Sequence, residues 1–372
     1  MLKKIEIENF KSFEKRIEFD LSDVRGYSFN KECIKNEIVN KAIIYGYNGV
    51  GKSNLALGVF DIVSHITDKR FPNYKYVNYL NANSGEKTAK FKYEFKFDDS
   101  LVVYEYEKSD NETILDEKLL INNNLFASIK RGDTNEHLLQ TTAKGCETLN
   151  KNLTNSNISI IKYIKSNAVL QDNRENKIFY NFIDFVDSML LFRNLDDRFY
   201  IGYDQGTKSL TNEIVKNGYL EDFEKFLNDV GIRCKLAKIK DTEGWDINFI
   251  FENKKIPFVE VASSGTISLT VFYYWYQRVK RNNNCKFLFI DEFDAFYHHS
   301  LSKTVVERLK ELYDVQVILS THNTSIMSND ILRPDCYFFM YEDKITSLAK
   351  STKKELREAH NIEKMYRAGL FG

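Results

Sequence analysis

A chain of 372 residues with 43% hydrophobic content can bury a large core and fits two domains, or one with a sizeable insertion. Its 53 Lys and Arg balance its 53 Asp and Glu, so no global field draws it to nucleic acid or anionic membrane, and any DNA contact needs a local patch. The five cysteines (Cys33, Cys146, Cys234, Cys285, Cys336) form no C-x-x-C pair, which argues against zinc and disulfide frameworks and fits a reducing compartment. MLKKIEIENF has no signal-peptide apolar stretch, and no apolar run approaches the roughly 20 residues of a membrane span, so the expectation is a cytoplasmic protein without membrane contact.

Residues 5–10 and 16–21 alternate apolar with polar positions, like hairpin strands around KSFEK. KAIIY, 41–45, is a short apolar strand that runs into GYNGVGKSN, and 55–66 has helical spacing at Leu55, Val59, Ile62, Val63 and Ile66. Strand, glycine loop and helix make the βα unit of an α/β fold. KFKYEFKF and LVVYEYEK flank DDS as an antiparallel hairpin, and KLLINNNLF is a second turn-linked pair. Residues 136–157 are polar and predict loop, 158–164 predict a buried strand, and 176–192 predict an aromatic-rich helix. A helix over 219–230 precedes the hairpin CKLAKIK and WDINFIF across DTEG. From 256 onward α/β signals return: helix 266–280, strand 286–290, helix 300–313, strand 315–320. The chain therefore reads as an α/β nucleotide core, 1–67 and 256–372, interrupted over 68–255 by an antiparallel β and helical insertion.

Gly46-Tyr47-Asn48-Gly49-Val50-Gly51-Lys52-Ser53 matches G-x-x-x-x-G-K-[ST] between an apolar strand and a helix, the context that motif requires. Its glycines let backbone N–H groups curl around phosphates, and the helix N-terminus adds partial positive charge. Lys52 is placed to reach the β- and γ-phosphates and the Ser53 hydroxyl to ligate Mg²⁺; with Asn54 these residues are the candidate ATP contacts. The stretch FLFIDEFDAFYH ends an apolar strand in adjacent acids, an expensive place for charge unless something positive waits there. Beside the glycine loop, Asp291 would hold Mg²⁺ through water and Glu292 would orient or deprotonate the attacking water. The strand QVILST finishes at His322, placed to donate to the γ-phosphate or that water. Ser263-Ser264-Gly265-Thr266 opens a helix whose short side chains permit close phosphate approach, although a serine there is ordinarily just an N-cap.

The order of these parts resembles the ATP-binding-cassette ATPases, and more narrowly their SMC-, RecF- and OLD-type branch. The resemblance implies an ABC-ATPase head that forms a homodimer through an ATP sandwich, with Ser263 and Gly265 contacting the nucleotide of the other subunit. It also implies that Asp294 and Ala295 form the D-loop and that His322 is the switch histidine. IEIENFKSF is similar to that branch's first strand, which makes Lys11 and Ser12 candidate nucleotide contacts. DEFDAFYHHSLS, STHNTSIMSNDILRPDCYFF and NIEKMYRAGLFG resemble stand-alone bacterial AAA-like ATPases, some of them encoded with nucleases in phage-defence or abortive-infection loci. His298 stands at that pattern's histidine and His299 replaces its proline, while Gln140, Gln171 and Gln205 compete for the family's glutamine loop. The implied function is a slow Mg²⁺-dependent ATPase whose clamp regulates a partner effector of nuclease type, encoded nearby, in anti-phage defence. The alternative is a RecF- or SMC-like DNA-binding ATPase of repair or maintenance. A GTPase is disfavoured because no N/T-K-x-D motif is present.

Two stretches have sharper and blander readings. VFYYWYQRVKR, 271–281, suits a base-stacking platform but better suits the core face of a helix. Lys69, Arg70 and Lys75, interleaved with Phe71, Tyr74 and Tyr76, form a better nucleic-acid candidate, against which stands a solvated loop. His65, His137 and His360 lack partners at metal spacing.

Overall fold

The computed structural model describes residues 1–69, 73–131, 138–154, 156–193, 200–202, 209–240, 244–282, 284–295 and 299–371. Arg70, Phe71, His137, Gln205 and His298 lie outside these.

Two seven-stranded sheets face each other across buried helices. In the first, the order is Tyr200–Gly202, Met189–Arg193, Phe287–Asp291, Gln316–Thr321, Lys41–Tyr45, Tyr337–Met340, Ile345–Ser347. Its five inner strands are mutually parallel, and the two edge strands run antiparallel to their neighbours. KAIIY, FLFID and QVILST are buried at every position, as sequences in a sheet covered on both faces must be. The second sheet is antiparallel, in the order Gln140–Thr141, Asn124–Lys130, Ile114–Ile121, Ser100–Lys108, Ala89–Phe97, Leu2–Glu8, Ile17–Asp20. The N-terminal hairpin and the hairpins of the middle region thus share one sheet, and the strand Met189–Arg193 of that region joins the parallel one.

Helix Lys52–Ile66, which leaves the glycine loop, is buried on nearly all sides because it lies between the sheets. Phe60 meets Phe287 of the parallel sheet at 5.9 Å between ring centroids. On the other side Tyr93 Oη donates to Gly58 O at 2.6 Å, and a Cβ on Gly58 would fall 2.5 Å from Ile7 Cδ1. Asp61, fully buried, accepts from Tyr79 Oη (3.1 Å), Tyr106 Oη (2.8 Å) and Lys108 Nζ (2.9 Å). Lys108, equally buried, also donates to Ser64 Oγ and Asn111 O. At the far end of the layers, Gln316 is clamped to strand Leu2–Glu8: its Oε1 accepts from Leu2 N (2.9 Å) and its Nε2 donates to Leu2 O (2.8 Å).

A further lobe holds the three-stranded sheet Leu236–Lys240, Trp245–Phe251, Lys254–Pro257 and helices Leu210–Lys216 and Leu220–Asp229, against helix Ser264–Asn282. The aromatic run on that last helix is core: Phe272, Tyr273, Trp275 and Tyr276 are buried, and Tyr273 packs on Phe223 at 4.9 Å. Among the basic candidates, Lys69 pairs with Asp187, and Tyr76 is buried rather than part of a solvated loop. His65 is half-buried and bonded to Tyr104 Oη, a structural role.

Two expectations are corrected. Residues 158–164 do not form a strand: Ser159 caps helix Ile160–Asn167, its Oγ accepting from Ile161 N, and Ile160, Ile161 and Ile164 fill one face. The helix expected over 176–192 ends at Asp187, and after Ser188 the chain turns into strand Met189–Arg193. Helix and buried strand are both apolar there, so periodicity alone does not separate them.

The Asp61–Lys108 pair predicts a specific cost. Lys108→Met strands a buried carboxylate and should lower unfolding free energy by about 3–5 kcal/mol in urea titration, with Asp61→Asn in the same chain recovering part of the loss.

Candidate functional site at the edge of the parallel sheet

The parallel strands end along one edge, and loops at such an edge collect the groups that bind ligands in open α/β sheets. Tyr45 pairs with Thr321, Ile44 with Ser320, and Asp291 with Arg193. The glycine loop, the acid pair and the histidine therefore emerge side by side.

The loop is built by close approach and left-handed backbone. Gly49 has φ +85° and Gly51 φ +105°; a Cβ on Gly51 would also lie 2.7 Å from Ser12 Oγ and 2.8 Å from Phe13. Lys52 Nζ spans the loop, donating to Gly46 O (2.8 Å), Tyr47 O (3.2 Å) and His322 Nε2 (2.9 Å). Burial lowers the Lys52 pKa. Burial, and then the Lys52 charge, lower that of His322, so the ring is neutral with Nε2 as acceptor.

Asp291 is buried and joined to three elements. Its Oδ2 accepts from Ser53 Oγ at 2.7 Å, its Oδ1 accepts from Ser320 Oγ at 2.6 Å, and Arg193 Nε lies 3.4 Å from Oδ2. A serine hydroxyl beside a carboxylate is a hard-oxygen donor set that fits Mg²⁺ with water and phosphate oxygens completing the shell. Ser320 Oγ also accepts from Glu292 N at 2.8 Å, fixing the backbone of the second acid. Glu292 has φ 48°, a left-handed conformation that costs a non-glycine residue about 1–3 kcal/mol and is typical of functional positions. Burial, then Asp291, raise its pKa, which makes it a stronger proton acceptor than an ordinary surface carboxylate.

Other sequence candidates are placed unevenly. Ser12 Oγ accepts from Asn54 Nδ2 at 2.8 Å and lies against Gly51, whereas Lys11 Nζ turns to Val77 O at 3.3 Å. Asn48 is exposed at the loop's tip. Asp294 Oδ1 accepts from Thr321 Oγ1 at 2.6 Å, and its buried Oδ2 has no hydrogen bond. Ser263 is exposed and bonded within its own turn, to Thr266 N and Oγ1. Gln140 sits in the edge strand of the antiparallel sheet, and Gln171 N bonds to Lys144 O, so neither marks the site. Arg193, Ser320 and Thr321 belong to it without lying in a sequence motif. The signal for the last two was available: hydroxyls at the end of a wholly apolar strand, just before the histidine.

These features define a P-loop nucleotide-binding site at the edge of a parallel sheet. The family model described as "AAA domain, putative AbiEii toxin, Type IV TA system" matches residues 41–328, well over half of the chain, and the chain belongs to that family. No curated protein matches it. Solved structures similar to it include an SMC head bound to the C-winged helix domain of ScpA (17% identity, 93% of this chain and 97% of that one, TM-score 0.49). Others are the SMC head domain from Thermotoga maritima (15%, 93% and 98%, TM-score 0.41) and the recombination mediator RecF of the RecFOR pathway (15%, 94% and 98%, TM-score 0.39). Among the described residues no helix is long and apolar enough to cross a membrane.

The doubly bonded Ser320 hydroxyl generates a test. Ser320→Ala removes a donor from Asp291 and an acceptor from Glu292 N, and should cost about 1–3 kcal/mol of stability by urea unfolding together with at least tenfold in ATPase rate.

Proposed function

We propose that this chain is a Mg²⁺-dependent ATPase that closes head to head on two ATP molecules and uses that closure to switch a partner effector, in defence against phage. The observation that carries the reading is a division of the site. Lys52, Ser53, Asp291, Glu292 and His322 converge within one chain, while Ser263 and Gly265 open a helix in the other lobe, on its surface. A signature turn so exposed suits phosphate recognition in a second copy.

Each group has a task in that scheme. The loop amides and Lys52 bind and orient the β- and γ-phosphates, and Ser53 with Asp291 would hold the Mg²⁺ that neutralises developing charge. Glu292, oriented by Ser320 and raised in basicity, accepts the proton of the attacking water; neutral His322, whose Nε2 accepts from Lys52, holds that ammonium in place for the terminal phosphate. Asp294, anchored to Thr321, places its charge near His322 and is the candidate for contact across the dimer. The family's description as an AbiEii-type toxin supports the defence role.

Glu292→Gln should bind ATP without turning it over and elute as a dimer by light scattering in ATP and Mg²⁺, whereas Lys52→Ala should lose nucleotide binding. If both variants stay monomeric in ATP and hydrolyse it at the wild-type rate, the mechanism is wrong.

A further inference from the structure

Among the described residues at the edge of the parallel sheet, Arg193 is a charged side chain that the scheme above leaves idle. Arg193 closes strand Met189–Arg193, with its Cα paired to that of Asp291. Its Nε lies 3.4 Å from Asp291 Oδ2, the oxygen that accepts from Ser53 Oγ, yet it is buried and makes no hydrogen bond. The contact is coulombic, too long and poorly aligned for a formed bond. The guanidinium also pulls down the Glu292 pKa against the burial that raises it, which places its charge near the second acid. Across the edge the order is therefore Lys52 with His322, Ser53 with Asp291, then Arg193.

A guanidinium keeps its charge at any physiological pH and matches phosphate oxygens in a planar fork. Leaving its buried Nε without an acceptor is costly, and an anion on the Ser53 side of Asp291 is the acceptor that its position offers. Asp291 cannot serve a divalent cation and a guanidinium equally, since the two cations repel at this distance. With Asp291 and Ser53 engaged by a cation, Arg193 would lose its partner and could take up the terminal phosphate of a chain held by Lys52.

Resting on the ATPase reading above, we propose that Arg193 is a specificity-determining ligand of the terminal phosphate, supplied in cis, which makes the site prefer a nucleoside triphosphate to a diphosphate. A diphosphate held by the loop amides and Lys52 ends short of it.

The test is equilibrium binding of ATPγS and ADP to the full chain, each with Mg²⁺ and with EDTA, for wild type, Arg193→Ala, Arg193→Gln, Arg193→Lys and Lys52→Ala, with melting curves alongside. Arg193→Ala and Arg193→Gln should weaken ATPγS by about tenfold or more and leave ADP within about twofold, as loss of a charge-assisted contact requires. Arg193→Lys should recover part of the preference, and Lys52→Ala should lose both ligands. Equal losses for the two nucleotides, or an unchanged ratio in every Arg193 variant, overturns the proposal. Wild type that binds neither nucleotide overturns the ATPase reading itself, so the two failures are distinct.

Discussion

The structure depends on burial of one helix. Lys52–Ile66 begins at the phosphate loop and runs between two sheets, so its N-terminus is aimed by packing along its whole length rather than by the loop alone. Its polar Asp61 is admitted only because Lys108 and two tyrosines satisfy it, and such pairs specify an arrangement more than they stabilise it. Gly58 lets the antiparallel sheet approach closely enough for Tyr93 to bond its carbonyl. The helix is thus held in rotation and in height, and the loop at its start inherits both.

The site repeats that economy of contacts at its own scale. Ser320 serves two acids at once, donating to Asp291 and accepting from the amide of Glu292. That second contact steadies the left-handed backbone of Glu292, just past the end of its strand. Lys52 and His322 form a neutral–cation pair at the rim of the site, where partial desolvation and the Lys52 charge penalise a second charge on the ring. Chemistry at this edge is prepared by neighbours that never leave their strands.

Much of this was legible in the sequence, for physical reasons. The glycine loop needs left-handed backbone and close approach, so its residue types cannot be disguised. KAIIY, FLFID and QVILST have apolar centres because both faces of their sheet are covered, and the polar residues at their ends are buried groups held by hydrogen bonds. Alternation in AKFKYEFKF and SLVVYEYEK exposed the antiparallel pair just as plainly. What stayed hidden lay where helix and strand share composition. IIKYI reads as a strand until Ser159 is recognised as a cap, and MLLF vanishes into the aromatic helix before it, taking Arg193 out of view. Pairing of Leu2–Glu8 with Ala89–Phe97 is a contact across some ninety residues, and local pattern carries no record of it.

The Gln316 clamp has a mechanical consequence. Two hydrogen bonds to Leu2 rivet the sheets together at the foot of the strand that finishes, six residues later, in His322. With the layers pinned at that foot, any small twist of one sheet over the other pivots there and has its greatest travel at the opposite rim, where the phosphate loop, the acids and the imidazole stand.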